Sequence, residues 1–280
     1  MAYKSILTVL SSQSRAERIF TAAADLAVAQ DAHLEALCLG FDRVQVGYSY
    51  IEAGAALLEA NHERAKEDAL AVEAAAKKAA ASQPESLRCT IETAVTMPGS
   101  TTELIGPRSR FSDLLILDKP YGKGRLPEEE AITEAGLFEG RAPVLMLPEG
   151  SAVTKPKCIV LAWNQSEEAT VAARRALPFM RQAENVVITV IDPPKHGPER
   201  SDPGGPLCKL LSHHGVRAEV SVLTKTKPRV SDVLLGQIQD RNADLLVMGA
   251  YGHSRFREAI LGGATRNILE QADIPVLMAH

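Results

Sequence analysis

The residues of this 280-residue chain whose type and spacing best suit chemistry are glycines near its end. Gly249 and Gly252 form one pair, and Gly262 and Gly263 form a second, followed by Thr265. Glycine allows positive φ angles and lets a ligand approach the backbone closely. The N–H groups at a helix start, with the helix dipole, favour a phosphate. A nucleotide phosphate chain would fit between the pairs, with Thr265 as a cap or first-turn residue.

The residues alone leave two interpretations open. The pattern is neither a Walker A motif nor Gly-x-Gly-x-x-Gly after a first strand, and glycines also mark ordinary turns. His253 lies either against a phosphate or on a surface loop. Positive charge near a phosphate would come from Arg255, Arg257 and Arg266.

The sequence pattern that surrounds these glycines occurs twice in the chain. Three blocks recur in the same order: KSILTVLSSQS (4–14) with KCIVLAWNQSEEA (157–169), SDLLIL (112–117) with ADLLVM (243–248), and APVLML (142–147) with IPVLMA (274–279). This order predicts a duplicated domain. The continuously apolar runs are typical of strands covered on both faces, and their alternation with helical stretches predicts parallel α/β units.

The domain boundary is predicted near PEGSAVTKPK at 148–157, which has turn residues and no apolar periodicity. The two domains would be residues 1–150 and 151–280. One long helix is predicted from about Ile51, because the segment is rich in Ala, Leu, Glu and Lys. The Pro/Gly-rich stretch at 192–206 either covers a site or is a mobile loop.

Composition limits the function classes. Hydrophobic residues make up 45%, charged residues 24%, and the net charge is −4, so no nucleic-acid-binding surface is expected. No run approaches the roughly 18 apolar residues of a membrane span. The first residues predict a strand rather than a signal peptide. Cys38 and Cys158 look like small core residues, and the four cysteines lack CxxC spacing, which predicts a reducing cytoplasm and no metal site.

The motifs together resemble the universal stress protein family. Gly249-x2-Gly252-x9-Gly262, the strand IVLAWNQSEEA and the ending IPVLMAH carry the resemblance, which extends over the chain as a tandem pair. The family implies two tandem, open, parallel five-stranded sheets with flanking helices, of the adenine-nucleotide-binding type. Some members of the family bind ATP and others do not.

The resemblance implies a set of site residues in the second half. The family's first-strand Asp corresponds to Asn164, after Ala162 and Trp163, and Trp163 either stacks at the adenosine or packs at the sheet edge. Ile191, at the end of the second strand, would flank the adenine. The residues expected to line the ribose and phosphates are Met248, Gly249, Gly252, Gly262, Gly263, Ala264 and Thr265.

Three departures from the family pattern bear on binding. Asn164 is an amide where binders have a carboxylate, and Gly263 stands where they carry Ser or Thr. In the first half Asp118 replaces the first glycine, and Glu128, Glu129 and Glu130 fall near the second glycine cluster, where they would repel anions. The first half is therefore interpreted as a degenerate copy that binds no nucleotide.

The resulting hypothesis is a cytoplasmic stress-response module that binds adenine nucleotide. The nucleotide would be ATP, which Mg²⁺ would accompany. The protein is not expected to be a dedicated enzyme, since no general base is evident. Residues 143–147 and 275–279 are expected to pair within the chain as a pseudo-dimer, with a homodimer as a further possibility. The alternatives are a nucleotide-free scaffold for a protein or apolar ligand, and a slow ATPase.

Overall fold

The computed structural model describes residues 2–43, 51–122, 124–151, 155–193, 201–250 and 263–280, with the backbone alone for 51–56. The chain divides into two compact units. The N-terminal unit comprises Tyr3–Leu117 and Leu126–Ala142, and the C-terminal unit comprises Met1–Ala2, Asp118–Arg125 and Pro143–His280. The last strand of the first half thus belongs to the C-terminal unit, and the boundary near residue 150 stays a prediction for where the two repeats meet.

The N-terminal unit is a parallel sheet with flanking helices. Its strand order is β3-β2-β1-β4. The elements in chain order are β1 Ser5–Leu10, α1 Gln13–Gln30, β2 His33–Phe41, α2 Ile51–Ala80, β3 Arg88–Thr96, α3 Thr101–Ser109, β4 Leu114–Asp118 and α4 Pro127–Glu134. The long helix predicted from about Ile51 is confirmed by the 30 residues of α2.

The C-terminal unit has the order β5-β10-β9-β6-β7-β8. Its elements are β5 Val144–Leu147, β6 Cys158–Ala162, α5 Glu167–Arg175, α6 Leu177–Met180, β7 Asn185–Ile191, α7 Gly205–His213, β8 Ala218–Leu223, α8 Val230–Asp240, β9 Leu245–Gly249, α9 Gly263–Gln271 and β10 Val276–Ala279. Neighbouring strands from β10 to β8 are parallel. The predicted α/β class, with parallel strands and flanking helices, is confirmed.

The repeated blocks fold alike. Asp113 accepts hydrogen bonds through Oδ2 from the backbone N–H groups of Lys4, at 2.7 Å, and Ser5, at 3.1 Å. Asp244 does the same for Lys157, at 2.6 Å, and Cys158, at 3.0 Å. In both halves an aspartate just before the fourth strand therefore ties down the start of the first strand, as expected for a duplication.

The predicted pairing of residues 143–147 with 275–279 is confirmed within the C-terminal unit. Strand β10 pairs antiparallel with β5, with Val276 opposite Met146 and Met278 opposite Val144. All residues of both strands are buried. The pairing covers apolar strand edges that would otherwise invite association.

Candidate functional site

The strand order of the C-terminal unit reverses between β6 and β9. Leu161 of β6 pairs with Val247 of β9, while β7 and β8 continue on the other side of β6. In open parallel sheets ligands bind outside the carboxyl ends of the strands at such a reversal. Here those ends are Ala162 and Gly249, two of the predicted site residues. A crossover helix runs antiparallel to its strands, so the start of α9 lies toward the same edge.

Gly249 is required by packing between a helix and a strand. A Cβ added there would lie 2.6 Å from the backbone nitrogen of Ala169 and 2.8 Å from the carbonyl carbon of Glu168, both in the first turn of α5. The φ angle of Gly249 is not in the positive region. The sequence-based expectation of positive φ therefore does not apply at this glycine. Its missing side chain instead lets α5 rest on the end of β9.

Trp163 follows β6 as a buried side chain with 8% exposure. Its backbone N–H donates to the carbonyl of Thr189 in β7, at 2.9 Å. Its indole Nε1 and the hydroxyl of Thr189, which is 1% exposed, have no hydrogen-bond partner among the described residues. Buried polar atoms are normally paired, so both are available to a ligand or to chain outside the described ranges. Thr189 was missed by sequence reasoning, although a threonine inside the apolar run NVVITVI was a usable signal.

Asn164 is exposed, and its side chain forms a local turn. Its Oδ1 accepts a hydrogen bond from the backbone N–H of Ser166, at 3.2 Å. Ser166 in turn caps α5, because its Oγ accepts from the N–H of Ala169, at 3.1 Å. The amide nitrogen of Asn164 stays available as a donor. Asn164 thus belongs to the turn that leads into α5, directly after the carboxyl end of β6.

The other predicted residues of the adenosine side lie at the same strand ends. Ile191 is the last residue of β7 and is half-buried, and Met248 lies in β9 with 6% exposure. Ala162 ends β6 opposite Thr189 of β7. The tertiary structure therefore places Ala162, Ile191 and Met248 at one sheet edge.

Only some of the residues expected to contact the phosphates lie within the described ranges. Gly263 and Ala264 begin α9 and are exposed, whereas Thr265 is 5% exposed. Among the described residues, no atom lies within 4 Å of a Cβ built on Gly263. Gly252, His253 and Gly262, together with Arg255 and Arg257, lie outside the described residues.

Arg266 was expected to add positive charge near a phosphate, and its charge is engaged within the C-terminal unit. Its guanidinium carbon lies 5.1 Å from the ring centroid of Tyr121. Its Nε also donates to Glu270 Oε1, at 2.8 Å and one helical turn away. These contacts hold Arg266 along the side of α9.

The strand order of the N-terminal unit reverses in the same way, between β1 and β4. Charged side chains of the unit itself lie at the helix starts beside this reversal. Glu128 and Glu129 occupy the first turn of α4 and are each 7% exposed. Arg15, in the first turn of α1, forms an ion pair with Glu129. Arg43, just after β2, forms one with Glu128, at 2.7 Å. The expected repulsion of anions thus has a specific basis, because two buried carboxylates already occupy a helix N-terminus and pair with the nearby cations.

The described residues contain neither a metal-binding cluster nor a helix that could span a membrane. No cluster of three or more His, Cys, Asp or Glu side chains suited to a metal ion occurs in them. No helix in the described parts of the chain is both long and apolar enough to span a bilayer.

Comparisons with known proteins connect this geometry to a family. The model of the universal stress protein family matches residues 156–280. The universal stress protein Slr1230 of Synechocystis sp. is 36% identical over 69 residues, which cover 25% of this chain and 23% of that protein. The chain thus matches less than a quarter of that relative's length.

Solved structures share the fold over nearly the whole chain. A universal stress protein from Archaeoglobus fulgidus matches with a TM-score of 0.65 at 14% identity, covering 98% of this chain and 95% of that chain. A candidate universal stress protein from Pseudomonas aeruginosa matches with a TM-score of 0.53, also at 14% identity, covering 99% of this chain and 93% of that chain. Identities this low show the fold alone. Residues 156–280 are therefore the part of the chain that the universal stress protein family model matches, and the fold over nearly the whole chain is the one that these solved structures share.

Proposed function

We propose that the C-terminal unit binds an adenine nucleotide, and that the chain is a cytoplasmic stress-response module regulated by it. One observation carries the proposal. In the domain that matches the family, the strand order reverses between β6 and β9, and α9 begins toward the same edge at Gly263. This arrangement offers a crevice for a nucleoside and a helix start for phosphates.

The phosphates would lie along the two glycine pairs. Free N–H groups at the start of α9 would donate to phosphate oxygens, since the first four N–H groups of a helix lack intrahelical partners. The exposure of Gly263 and Ala264 leaves that helix start accessible. We further propose that Gly252, His253 and Gly262 complete the phosphate side.

The adenosine would lie across the ends of β6 and β7. Ile191 and Met248 would supply apolar contacts, and the amide nitrogen of Asn164 a donor. The indole N–H of Trp163 and the hydroxyl of Thr189 support this placement, because both are buried and unpaired within the described ranges. Nucleoside sites combine such apolar walls with a few polar groups.

Binding is proposed for one unit only. In the N-terminal unit Glu128 and Glu129 hold the start of α4 and pair with Arg43 and Arg15. A phosphate there would face two buried carboxylates. We therefore expect one nucleotide per chain, measurable as the stoichiometry of a calorimetric titration.

A binding module is favoured over an enzyme. Magnesium usually reaches such sites on the nucleotide phosphates with one or two protein carboxylates, so Mg²⁺ would accompany ATP rather than occupy a protein cage. Slow hydrolysis is tested by phosphate release under saturating ATP. Release that disappears in the Gly252→Glu chain would favour the enzyme instead.

The deciding experiment is a thermal-unfolding titration of the full chain with ATP, ADP and AMP, with and without Mg²⁺. A ligand at 100 times its Kd adds about 2.7 kcal/mol of stability. The shift should vanish in Gly252→Glu, which places a carboxylate among the phosphates. Gly99→Glu is the control, because it adds the same charge at an exposed glycine of the other unit whose Cβ would have no described atom within 4 Å. No shift at millimolar nucleotide would contradict the proposal.

A nucleotide-free scaffold is the second candidate, and two observations favour it. The Oδ1 of Asn164 is already engaged by Ser166. Helix α2 exposes Leu57, Leu58 and Leu70 at 61%, 46% and 56%, which suits a protein partner. This candidate predicts no nucleotide-dependent shift, and loss of partner binding when these leucines are replaced by Gln.

A further inference from the structure

The segment Asp118–Arg125 comes from the first half of the chain and folds with the C-terminal unit. By position after the fourth strand it corresponds to the stretch that begins at Gly249 in the second half. Its turn is held internally, because Arg125 Nη2 donates to Asp118 Oδ1, at 3.0 Å, and the backbone N–H of Lys119 donates to the same atom, at 2.9 Å. Gly122 and Gly124 adopt φ angles of 123° and 77°, which favour glycine. The described residues of this segment therefore form a turn, and its sequence lacks the family's glycine motif.

Lys119 caps the C-terminal end of α9. Its Nζ donates to the carbonyl oxygens of Glu270 and Ala272, each at 2.9 Å. The last carbonyls of a helix have no intrahelical donor and carry the negative end of the dipole, so a cation stabilises them. Burial lowers the pKa of Lys119, and the carboxylate of Asp273 acts in the opposite direction.

Tyr121 contacts the other end of the same helix. Its side chain is 7% exposed, and the guanidinium of Arg266 stacks over its ring at 5.1 Å. Arg266 follows Thr265 directly and lies one residue beyond the candidate phosphate contacts. Helix α9 has 9 residues and is therefore about 13 Å long. Two residues of one short segment thus hold α9 near both of its ends.

We propose that the segment Asp118–Arg125 is a clamp that fixes α9, with Lys119 and Tyr121 as positioning residues for the nucleotide site of the second half. The inference rests on the proposed function for its effect on affinity, while the clamp itself rests on contacts within the C-terminal unit. A helix held in place presents its N-terminal N–H groups without an ordering cost, which strengthens phosphate binding. The first half would have lost its own phosphate turn and gained a part in the site of the second.

The test uses the full chain and compares Lys119→Met, Lys119→Arg, Tyr121→Leu and Tyr121→Phe. Amide hydrogen exchange is measured without nucleotide, and ATP affinity is measured by calorimetry. Lys119→Met should speed exchange across 266–271 about tenfold and raise the Kd for ATP about as much, since a hydrogen bond to a charged group is worth at least this factor. Tyr121→Leu should act in the same direction with a smaller effect, because it removes the cation–π contact with Arg266. Lys119→Arg and Tyr121→Phe should restore both, because they keep the cation and the ring.

Two controls separate the clamp from general destabilisation. Lys209→Met removes the same charge from an exposed position on α7 of the same unit and should change neither readout. Exchange in β7 should stay unchanged in the Lys119 variants, since only α9 opens. Unchanged exchange of α9 in Lys119→Met would overturn the clamp, and faster exchange with unchanged ATP affinity would overturn its positioning role. If the wild-type chain bound no nucleotide, the proposed function would fail, and the exchange of α9 would still decide whether the clamp exists.

Discussion

Arg15 and Glu129 join the first turns of two helices on either side of a strand-order reversal. Arg15 lies at the start of α1 and Glu129 at the start of α4, and their side chains form an ion pair in which that of Glu129 is 8% exposed. Both helices begin at the edge where a sheet of this type receives a ligand. In the N-terminal unit a protein carboxylate thus occupies the kind of position that a phosphate would take in the C-terminal unit.

The first prediction concerns this ion pair. Glu129→Met leaves the guanidinium of Arg15 half-buried beside the other charges, and should destabilise the chain by about 2–3 kcal/mol, because breaking a largely buried pair is costly. The double variant Arg15→Met, Glu129→Met should lose less than the sum of the two single variants. Urea unfolding followed by circular dichroism measures these differences. Additive losses of stability would show that the two side chains are not coupled. Glu67→Met is the control, because it makes the same replacement on the exposed face of α2.

The second prediction restores the hydroxyl that the family carries after its third glycine. Gly263→Ser should raise ATP affinity about tenfold, since a hydroxyl donating to a phosphate forms a charge-assisted bond. The added Cβ meets no described atom within 4 Å, so none of these atoms opposes the serine side chain. Gly263→Ala is the matched control, because it adds the same Cβ without the hydroxyl. Equal affinities of the serine and alanine variants would contradict a phosphate at this position.

The third prediction separates packing from ligand contact at Gly249. Gly249→Ala should destabilise the C-terminal unit by about 1–3 kcal/mol, since its Cβ would meet the backbone of α5 at 2.6 Å. The fluorescence of Trp163, the single tryptophan, reports unfolding of this unit. Gly263→Ala should leave that transition nearly unchanged. A fully stable Gly249→Ala chain would show that α5 does not press on the end of β9.

The fourth prediction tests the contact between β2 and α2. A Cβ on Gly40 would lie 1.8 Å from the carbonyl oxygen of Ala65, which belongs to the helix backbone and cannot rotate away. Gly40→Ala should therefore cost about 3 kcal/mol or more of stability in the N-terminal unit. Gly99→Ala adds the same methyl group at a position where no atom of the described residues lies within 4 Å, and should have little effect. Circular dichroism melting curves compare the two variants.

The fifth prediction concerns the buried thiol of Cys38. Its pKa is raised from the ordinary 9.0 to about 12, mainly by burial and also by the charge of Glu73, while Lys77 acts in the opposite direction. The unfolded thiol ionises near pH 9 and the folded thiol does not, so this stabilising contribution is present below pH 9 and is lost as the pH rises toward 12. The free energy of unfolding of the native chain should fall more steeply between about pH 8.5 and 10, as the pH passes the thiol's ordinary pKa, than that of Cys38→Ala. Parallel slopes would contradict the raised pKa.

Alkylation provides an independent check on the same thiol. Iodoacetamide reacts with the thiolate, so Cys38 should stay unmodified in the native chain at pH 8. Cys89, Cys158 and Cys208 are only half-buried and should react faster. Cys158 was expected to be a core residue like Cys38, and its partial exposure at the first position of β6 follows from its place at the strand end.

The sequence alone determined the repeated strands and the long helix. Strands such as Leu245–Gly249 are continuously apolar because both faces of a parallel strand are covered, and this pattern is local in the chain. The pairing of β5 with β10 was also predicted, from the two apolar strands that end the repeats and from the family resemblance. Only the structure shows that this pairing is antiparallel. The candidate residues at the strand ends followed from the family motif at matching positions.

Only the tertiary structure decided what individual side chains contact. The reason for a glycine at 249 is the backbone of α5, which lies 80 residues away in the chain. Likewise, Lys119 reaches carbonyl groups more than 150 residues away, and Glu129 meets Arg15 across 114 residues. Apolar periodicity reports which face of an element is covered, but it carries no information about which distant group covers it. Contacts of this kind are fixed by how helices and strands pack. They are the basis for proposing that Asp118–Arg125, which lacks the glycine motif, holds α9 in place.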